Sequence, residues 1–326
     1  MIPLRTVVPA LMVMALNLFM PAPSLAQSDY PSKPVRMVVP FAAGGSTDVV
    51  ARILLPRLSE ALGQPVVIDN RPGAGSTMGV DNVAKSVPDG YTIVMVANSS
   101  IAPGPLMRTS MPYDPIKDLA HVALIGSFTN GVIVRSDSPI KSLRELIDMA
   151  RANPGKLTYS SAGIGSSGWL TGELLKRRAN IDMLHVPYKG AGPAFTDLLG
   201  GRVDFMFHSA GGVAEIIRSG RVRLLAESGA KRSSAFPEIP TIDSIVPGVT
   251  GAAWFGISAP AKTPEAILKR LESAVTSVLR NPDVRKRLEE LGMEPSGAGR
   301  TEFLAHIHAE NALWGPIIKA MDIKVD

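Results

Sequence analysis

Two stretches of this 326-residue chain combine glycines, hydroxyls and a helix start in a pattern that could hold an anion. The first is Phe41-Ala42-Ala43-Gly44-Gly45-Ser46-Thr47-Asp48. It follows the apolar run Val35 to Val39 and precedes Val49, Val50, Ile53 and Leu54 at helical spacing. The second is Ser160-Ser161-Ala162-Gly163-Ile164-Gly165-Ser166-Ser167-Gly168-Trp169, which follows the short strand pattern at Leu157. A strand that feeds a helix through a glycine turn leaves backbone N–H groups unpaired at the helix start, and the helix dipole favours negative charge there. The first loop has no Lys or Arg, so its attraction is short-range and geometric rather than a charge clamp. Two such loops predict two lobes, each aiming one loop at a shared cleft.

Other chemistries are weaker at these positions. Gly163-Ile164-Gly165-Ser166-Ser167-Gly168 matches G-x-G-x-x-G, but a dinucleotide site needs an acid at the end of the next strand to hold the ribose. That strand ends Val186-Pro187-Tyr188-Lys189, without one. A carboxylate at the helix start needs no such acid; the plain alternative is a glycine-rich turn capped by Ser166. The nucleophile-elbow pattern G-x-S-x-G is not met at Ser166 or Ser167. The five histidines show no H-E-x-x-H spacing and there is no cysteine, so neither a metal nor any other cofactor is expected. His185 lies inside a strand and reads as a satisfied core imidazole. Asp48, in the first turn of its helix, reads as a partner of the dipole and of local N–H groups. His208-Ser209 and Tyr188 end strands at the sheet edge, where each could face the cleft or simply belong to a loop or hinge.

The elements that must position these residues alternate. Strand patterns at Val35–Val39, Val66–Ile68 and Tyr91–Val96 are separated by helical patterns, the first carrying Pro56, which should kink or end it. This β-α-β-α-β rhythm predicts a mainly parallel, doubly wound sheet. Ligands of such sheets bind at the carboxyl ends of strands, which brings Asn98-Ser99-Ser100 to the edge that carries Phe41 to Thr47. A Pro-rich connector runs from Pro103 to Pro115, followed by strand patterns at Val122–Ile125 and Gly131–Val134. Ser142-Leu143-Arg144-Glu145 is a capping box, and a second α/β alternation continues to Ala226. Phe255–Ala259 reads as a return strand. Thr263-Pro264 and Asn281-Pro282 each read as a cap followed by proline, and the helices after them should pack back on the first lobe. The expected organisation is a 1–26 signal segment, a discontinuous first domain at 27–128 and 250–326, a second domain at 129–249, and a hinge of two chain crossings.

Composition bounds the function. The chain is 45% apolar, ample for two cores, and only 5% aromatic. Its net charge of +5 is spread over scattered basic residues rather than a patch, so a nucleic-acid platform is not expected. Val7 to Met20 is almost wholly apolar, and Ser24-Leu25-Ala26 has the small residues of a cleavage site. This predicts export, with cleavage near Ala26, and the absence of cysteine excludes a cysteine-linked lipid anchor.

Several motifs occur together and in order: Tyr30-Pro31-Ser32-Lys33-Pro34-Val35-Arg36, Pro40-Phe41-Ala42-Ala43-Gly44-Gly45-Ser46-Thr47-Asp48, Asn70-Arg71-Pro72-Gly73-Ala74-Gly75, Pro88-Asp89-Gly90-Tyr91-Thr92, Pro112-Tyr113-Asp114-Pro115, Ala152-Asn153-Pro154-Gly155-Lys156-Leu157, His185-Val186-Pro187-Tyr188-Lys189-Gly190 and Trp254-Phe255-Gly256. Over nearly the whole mature chain this resembles the Bug family, the extracytoplasmic solute receptors of tripartite tricarboxylate transporters. The resemblance implies a two-lobed periplasmic binding protein of type II-like fold. Such a protein would be monomeric and non-catalytic, would bind a small carboxylate, and would deliver it to membrane transporter subunits or act as a sensor. Carried over residue by residue, it points to Phe41, Gly45, Ser46, Thr47, Gly165, Ser166 and Ser167 as ligand contacts. Asn98, Tyr188 and His208 join them from their places at strand ends. Many members carry Asp-Asn where this chain has His208-Ser209, a change that suits a ligand with a second acidic group or an aromatic end. An α/β enzyme acting on a small carboxylate is the competing class.

Overall fold

The computed structural model describes residues 30–233, 235–322 and 324. The expected signal segment lies outside the described residues. Strand β1 (Val35–Val39) leads into helix α1 (Ser46–Leu62), then β2 (Val66–Asn70), α2 (Thr77–Ala84) and β3 (Thr92–Ala97). Two four-residue helices, α3 (Asn98–Ile101) and α4 (Pro103–Leu106), precede the long strand β4 (Leu119–Arg135). The second alternation is α5 (Leu143–Ala152), β5 (Thr158–Ser161), α6 (Ser167–Ala179), β6 (Leu184–Pro187), α7 (Ala191–Leu199), β7 (Phe205–Ser209), α8 (Ala214–Arg218) and β8 (Val222–Glu227). The chain returns through β9 (Ala252–Pro260), α9 (Glu265–Arg280), α10 (Pro282–Glu290), β10 (Met293–Ala298) and α11 (Arg300–Met321).

Local chemistry explains several boundaries. Ser142 accepts the Glu145 N–H at 3.2 Å and opens α5. Asn281 accepts from the N–H groups of Asp283 and Val284, with Pro282 at the first position of α10. Thr263 does not cap α9; its hydroxyl donates instead to the Pro260 carbonyl at 2.7 Å. Helix α1 continues through Pro56 rather than ending there, because its buried face, with Val50, Leu54 and Leu58, holds it to the sheet.

The strands form two sheets that share β4. One has the order β2-β1-β3-β9-β4, with β10 also on β4; the other runs β4-β7-β5-β6, with β8 also on β4. Each sheet is mixed rather than mostly parallel. The pairs β1–β2, β1–β3, β5–β6 and β5–β7 are parallel, as βα units require. Every pair that involves β4 or β9 is antiparallel. Apolar clusters cover both faces of both sheets, which defines two lobes with separate cores.

The two strand patterns expected at Val122–Ile125 and Gly131–Val134 are one continuous strand. Its polar middle, at Ser127, Thr129 and Asn130, is where β4 leaves one sheet and enters the other. The return crossing is tied to it there. Asn130 and Ser228 exchange hydrogen bonds, Asn130 N to Ser228 Oγ at 2.9 Å and Ser228 N to the Asn130 carbonyl at 2.8 Å. The Gly251 N–H then donates to the Ser228 carbonyl at 2.9 Å.

Helix α11 departs from the expected packing. Its first half does pack on the first lobe, through Phe303 and Ile307. Its second half places Trp314 and Ile318 in the core of the second lobe with Trp169 and Leu174. Trp314 is 4% exposed. Trp314→Ala should therefore lower unfolding stability by about 3–5 kcal/mol, measured by urea unfolding. A loss below about 1 kcal/mol would show that the helix only leans on that lobe.

Candidate functional site

At the first loop, Gly45 is extended and makes no side-chain cap for α1. Asp48 supplies the local order instead. Its buried carboxylate accepts from Gly44 N at 3.0 Å, Arg52 Nε at 2.9 Å and Asn70 Nδ2 at 3.1 Å, while the same Asn70 amide donates to the Phe41 carbonyl. Burial alone would raise the Asp48 carboxyl, and the bonds from Arg52, Gly44 and Asn70 outweigh it and hold the group below the usual carboxylate range. Asp48 thus locks the turn from behind and leaves the open side uncharged. Among the described residues, the N–H groups of Ser46 and Thr47 have no acceptor in the protein.

At the second loop, Ser166 is the cap of α6, and its hydroxyl accepts the Trp169 N–H at 3.4 Å. Here too the N–H groups of Ser167 and Gly168 have no acceptor among the described residues. Gly165 sits at φ +82°, a left-handed turn position that a side chain would strain.

The two helix starts face one cavity between the lobes. Its lining includes Phe41, Gly45, Ser46, Thr47, Asn98, Ser166, Ser167 and His208, which gathers eight of the ten expected residues. The other two are not on its wall. Gly165 shapes the turn and is not on the cavity wall. Tyr188 lines an outer chamber with Arg108 and Lys189, and its hydroxyl donates to Asp197 at 2.7 Å, held there by the facing helix α7. The inner cavity also draws on residues not singled out from the sequence. Asn130 accepts from the Ser167 hydroxyl at 3.3 Å, Ser99 pairs with Ser76 at 2.8 Å, and Phe128 and Phe255 meet edge to face at 5.0 Å to form an apolar wall. An asparagine inside an apolar strand pattern was the available signal for Asn130.

Among the described residues, no Asp, Glu, Lys or Arg lines this cavity, and His208 is its one titratable side chain. Burial pushes the His208 imidazole down to about 4. The lobes are in contact over the cavity, with Ala42 N donating to the Lys189 carbonyl at 3.2 Å. About 40 Å³ is free inside, room for a few waters or the head of a small ligand at roughly 10–15 Å³ per water. Among the described residues, no cluster of His, Asp or Glu could hold a metal ion.

A two-lobed α/β molecule with paired helix starts at a buried inter-lobe cavity is a periplasmic binding protein in architecture. Residues 50–323 match the family model of the tripartite tricarboxylate transporter family receptor, and the chain belongs to that family. It is 35% identical over 306 residues to the protein BugT of Bordetella pertussis, covering 93% of this chain and 94% of that one. The structure of R. palustris Rpa4515 with adipate superposes with a TM-score of 0.87 at 36% identity, covering 90% of this chain and 99% of that one. MatC from Rhodopseudomonas palustris with bound malate superposes at 0.84 and 32% identity, covering 89% and 100%.

His121 and His185 share the fate of His208. His121 bonds Ser258 Oγ at 3.0 Å and His185 bonds Ser161 Oγ at 2.8 Å, and burial pushes both imidazoles down to about 4. In the unfolded chain histidine titrates near 6.5, so between about 6.5 and 4 the unfolded state binds more protons. Stability should then fall as pH drops through that window, by up to about 1.4 kcal/mol per pH unit for each histidine. Urea unfolding at pH about 7, 6 and 5 and constant ionic strength measures this, and a flat profile would contradict the neutral, buried state of these rings.

Proposed function

We propose that this chain is an exported receptor that captures a small organic carboxylate between its lobes and presents it to membrane transporter subunits. The observation that carries the reading is the set of unpaired N–H groups at Ser46, Thr47, Ser167 and Gly168, which face one cavity free of acidic side chains. A buried N–H without an acceptor is costly, and a carboxylate oxygen satisfies two such groups at a helix start while meeting the favourable end of the dipole. Bound adipate and malate in the two relatives support the same ligand class. Both ligands are dicarboxylates. Binding without turnover is favoured over an enzyme because, among the described residues, no cavity hydroxyl is bonded to a general base: His208 on the wall bonds none of them, and the rings of His185 and His121 are bonded outside it. We place the hinge at the Asn130–Ser228–Gly251 junction, close to lobe boundaries at 128/129 and 249/250. The chain is read as acting alone in the periplasm once 1–26 is removed.

The two loop serines test the reading. Ser46 caps nothing, so Ser46→Ala should weaken carboxylate binding by roughly 10- to 150-fold, one hydrogen bond to a charged acceptor, and leave stability within about 0.5 kcal/mol. Ser166 caps α6, so Ser166→Ala should also lose about 1 kcal/mol of stability. Calorimetric titration with a panel of mono- and dicarboxylates, beside urea unfolding of each variant, measures both. Unchanged affinity in Ser46→Ala would sink the placement of the ligand.

Closure has its own test. Gly211, in the second lobe, lies so close to the turn after α10 that a methyl group on it would overlap the Leu291 carbonyl of the first. Gly211→Ala should hold the lobes apart. The expected result is at least about tenfold weaker binding and a radius of gyration that no longer shrinks on adding ligand, read by small-angle scattering.

A further inference from the structure

His208, next to last in β7, lines the cavity at only 7% exposed, and among the described residues its imidazole has no hydrogen-bond partner. Its neighbours are uncharged. Gly131 lies opposite on β4, and the Phe195 ring of α7 is 6.3 Å away. A methyl group on Gly212 would sit 3.5 Å from His208 Nε2 and 3.8 Å from Ser46 Cβ, so the imidazole edge and the first helix start border the same small gap. Charged groups on the surrounding elements are engaged elsewhere. On α1, Asp48 and Arg52 bond each other. On α7, Asp197 is held by Tyr188 and Arg202. At the end of β4, Arg135 pairs with Asp137. Asp204, just before β7, bonds Thr158, and Glu215 of α8 lines a separate surface groove.

Two helix starts, each worth about half a positive charge, can balance one carboxylate. A second carboxylate in the same closed cavity would be a buried charge without a partner, which is strongly disfavoured. The cavity wall holds one group able to supply the missing positive charge. On the carboxylate reading of the cleft, we propose that His208 makes this a site for short dicarboxylates by accepting a proton from solvent as the second carboxylate enters. One N–H bond forms on the imidazole, the proton comes from water or buffer acid, and no bond in the ligand changes. The product is an imidazolium–carboxylate pair beside the first helix start. Burial keeps the ring neutral in the empty cleft, and a carboxylate in contact raises its proton affinity, so uptake accompanies binding as pH falls below neutral. A monocarboxylate, already balanced by the helix starts, recruits no proton.

Matched four-carbon acids test this. Ligand-free mature protein is titrated calorimetrically with succinate and with butyrate, at pH about 6.5, in two buffers of different ionisation enthalpy. Succinate should take up more than about half a proton and butyrate none, and succinate affinity should rise by about fourfold as pH falls from about 8 to 6.5. His208→Gln should abolish the uptake and reduce the preference for succinate over butyrate by at least about tenfold. Succinate binding without proton uptake, uptake that persists in His208→Gln, or tighter binding of butyrate than succinate would each overturn the inference. If His208→Gln fails to fold, the buffer comparison on the unaltered protein decides alone. If neither acid nor any other carboxylate binds, the reading of the cleft itself falls, and the inference with it.

Discussion

The constraint on which the rest depends is a set of N–H groups at two helix starts that have no acceptor among the described residues. Helices α1 and α6 both begin at the cavity, and the first turn of each has donors that no intrahelical carbonyl can reach. In most buried helix starts a side chain or another strand completes the set. Here the candidates are turned away. Asp48 is bonded behind the loop to Gly44, Arg52 and Asn70, and Ser166 spends its hydroxyl on Trp169. The lobes bring the two incomplete ends together, and what completes them must come from outside the chain.

Much of this was legible in the residues because it is local. Glycines and hydroxyls between a strand pattern and a helix pattern located the first helix start at Ser46 and the second to within two residues of Ser167, and Ser142 and Asn281 were recognisable caps. Direction was harder to read. Tyr188 stands near the end of a strand, as expected, yet its ring turns toward Asp197 of α7, a partner fixed only when the helix packs back. Gly165 belongs to the loop that lines the cavity, but sequence does not say which residues of a glycine turn reach the wall. The sharing of β4 between sheets was hidden because Ser127, Thr129 and Asn130 break the apolar pattern where the strand changes sheet. Strand β10 was hidden because Pro295 and Gly297 are poor strand formers, tolerated where only one neighbour, β4, has to be paired.

Asn130 joins these levels. Its backbone bonds Ser228 where the crossing strands meet, and its side chain accepts from Ser167 at the second helix start. The crossing between the lobes and the cavity-lining loop are therefore one hydrogen-bonded unit. A change in the angle at which the strands cross is felt at the cavity without any intervening loop.

The packing of α11 across both lobes has a mechanical consequence. A molecule joined only by two strands can swing like a door, but this one also carries a stay. Phe303 and Ile307 fix the helix to one side, and Trp314 and Ile318 fix it to the other. Pro316 lies between Trp314 and Ile318 and offers no N–H to the Ala312 carbonyl, so the softest turn of the helix is the one that carries Trp314, where the second anchorage begins. Opening must flex that turn, and its travel is limited by how far one weakened helical turn can bend before a tryptophan is drawn from its core. The stay thus sets an upper bound on the gape of the cleft, and with it the girth of any solute that can enter.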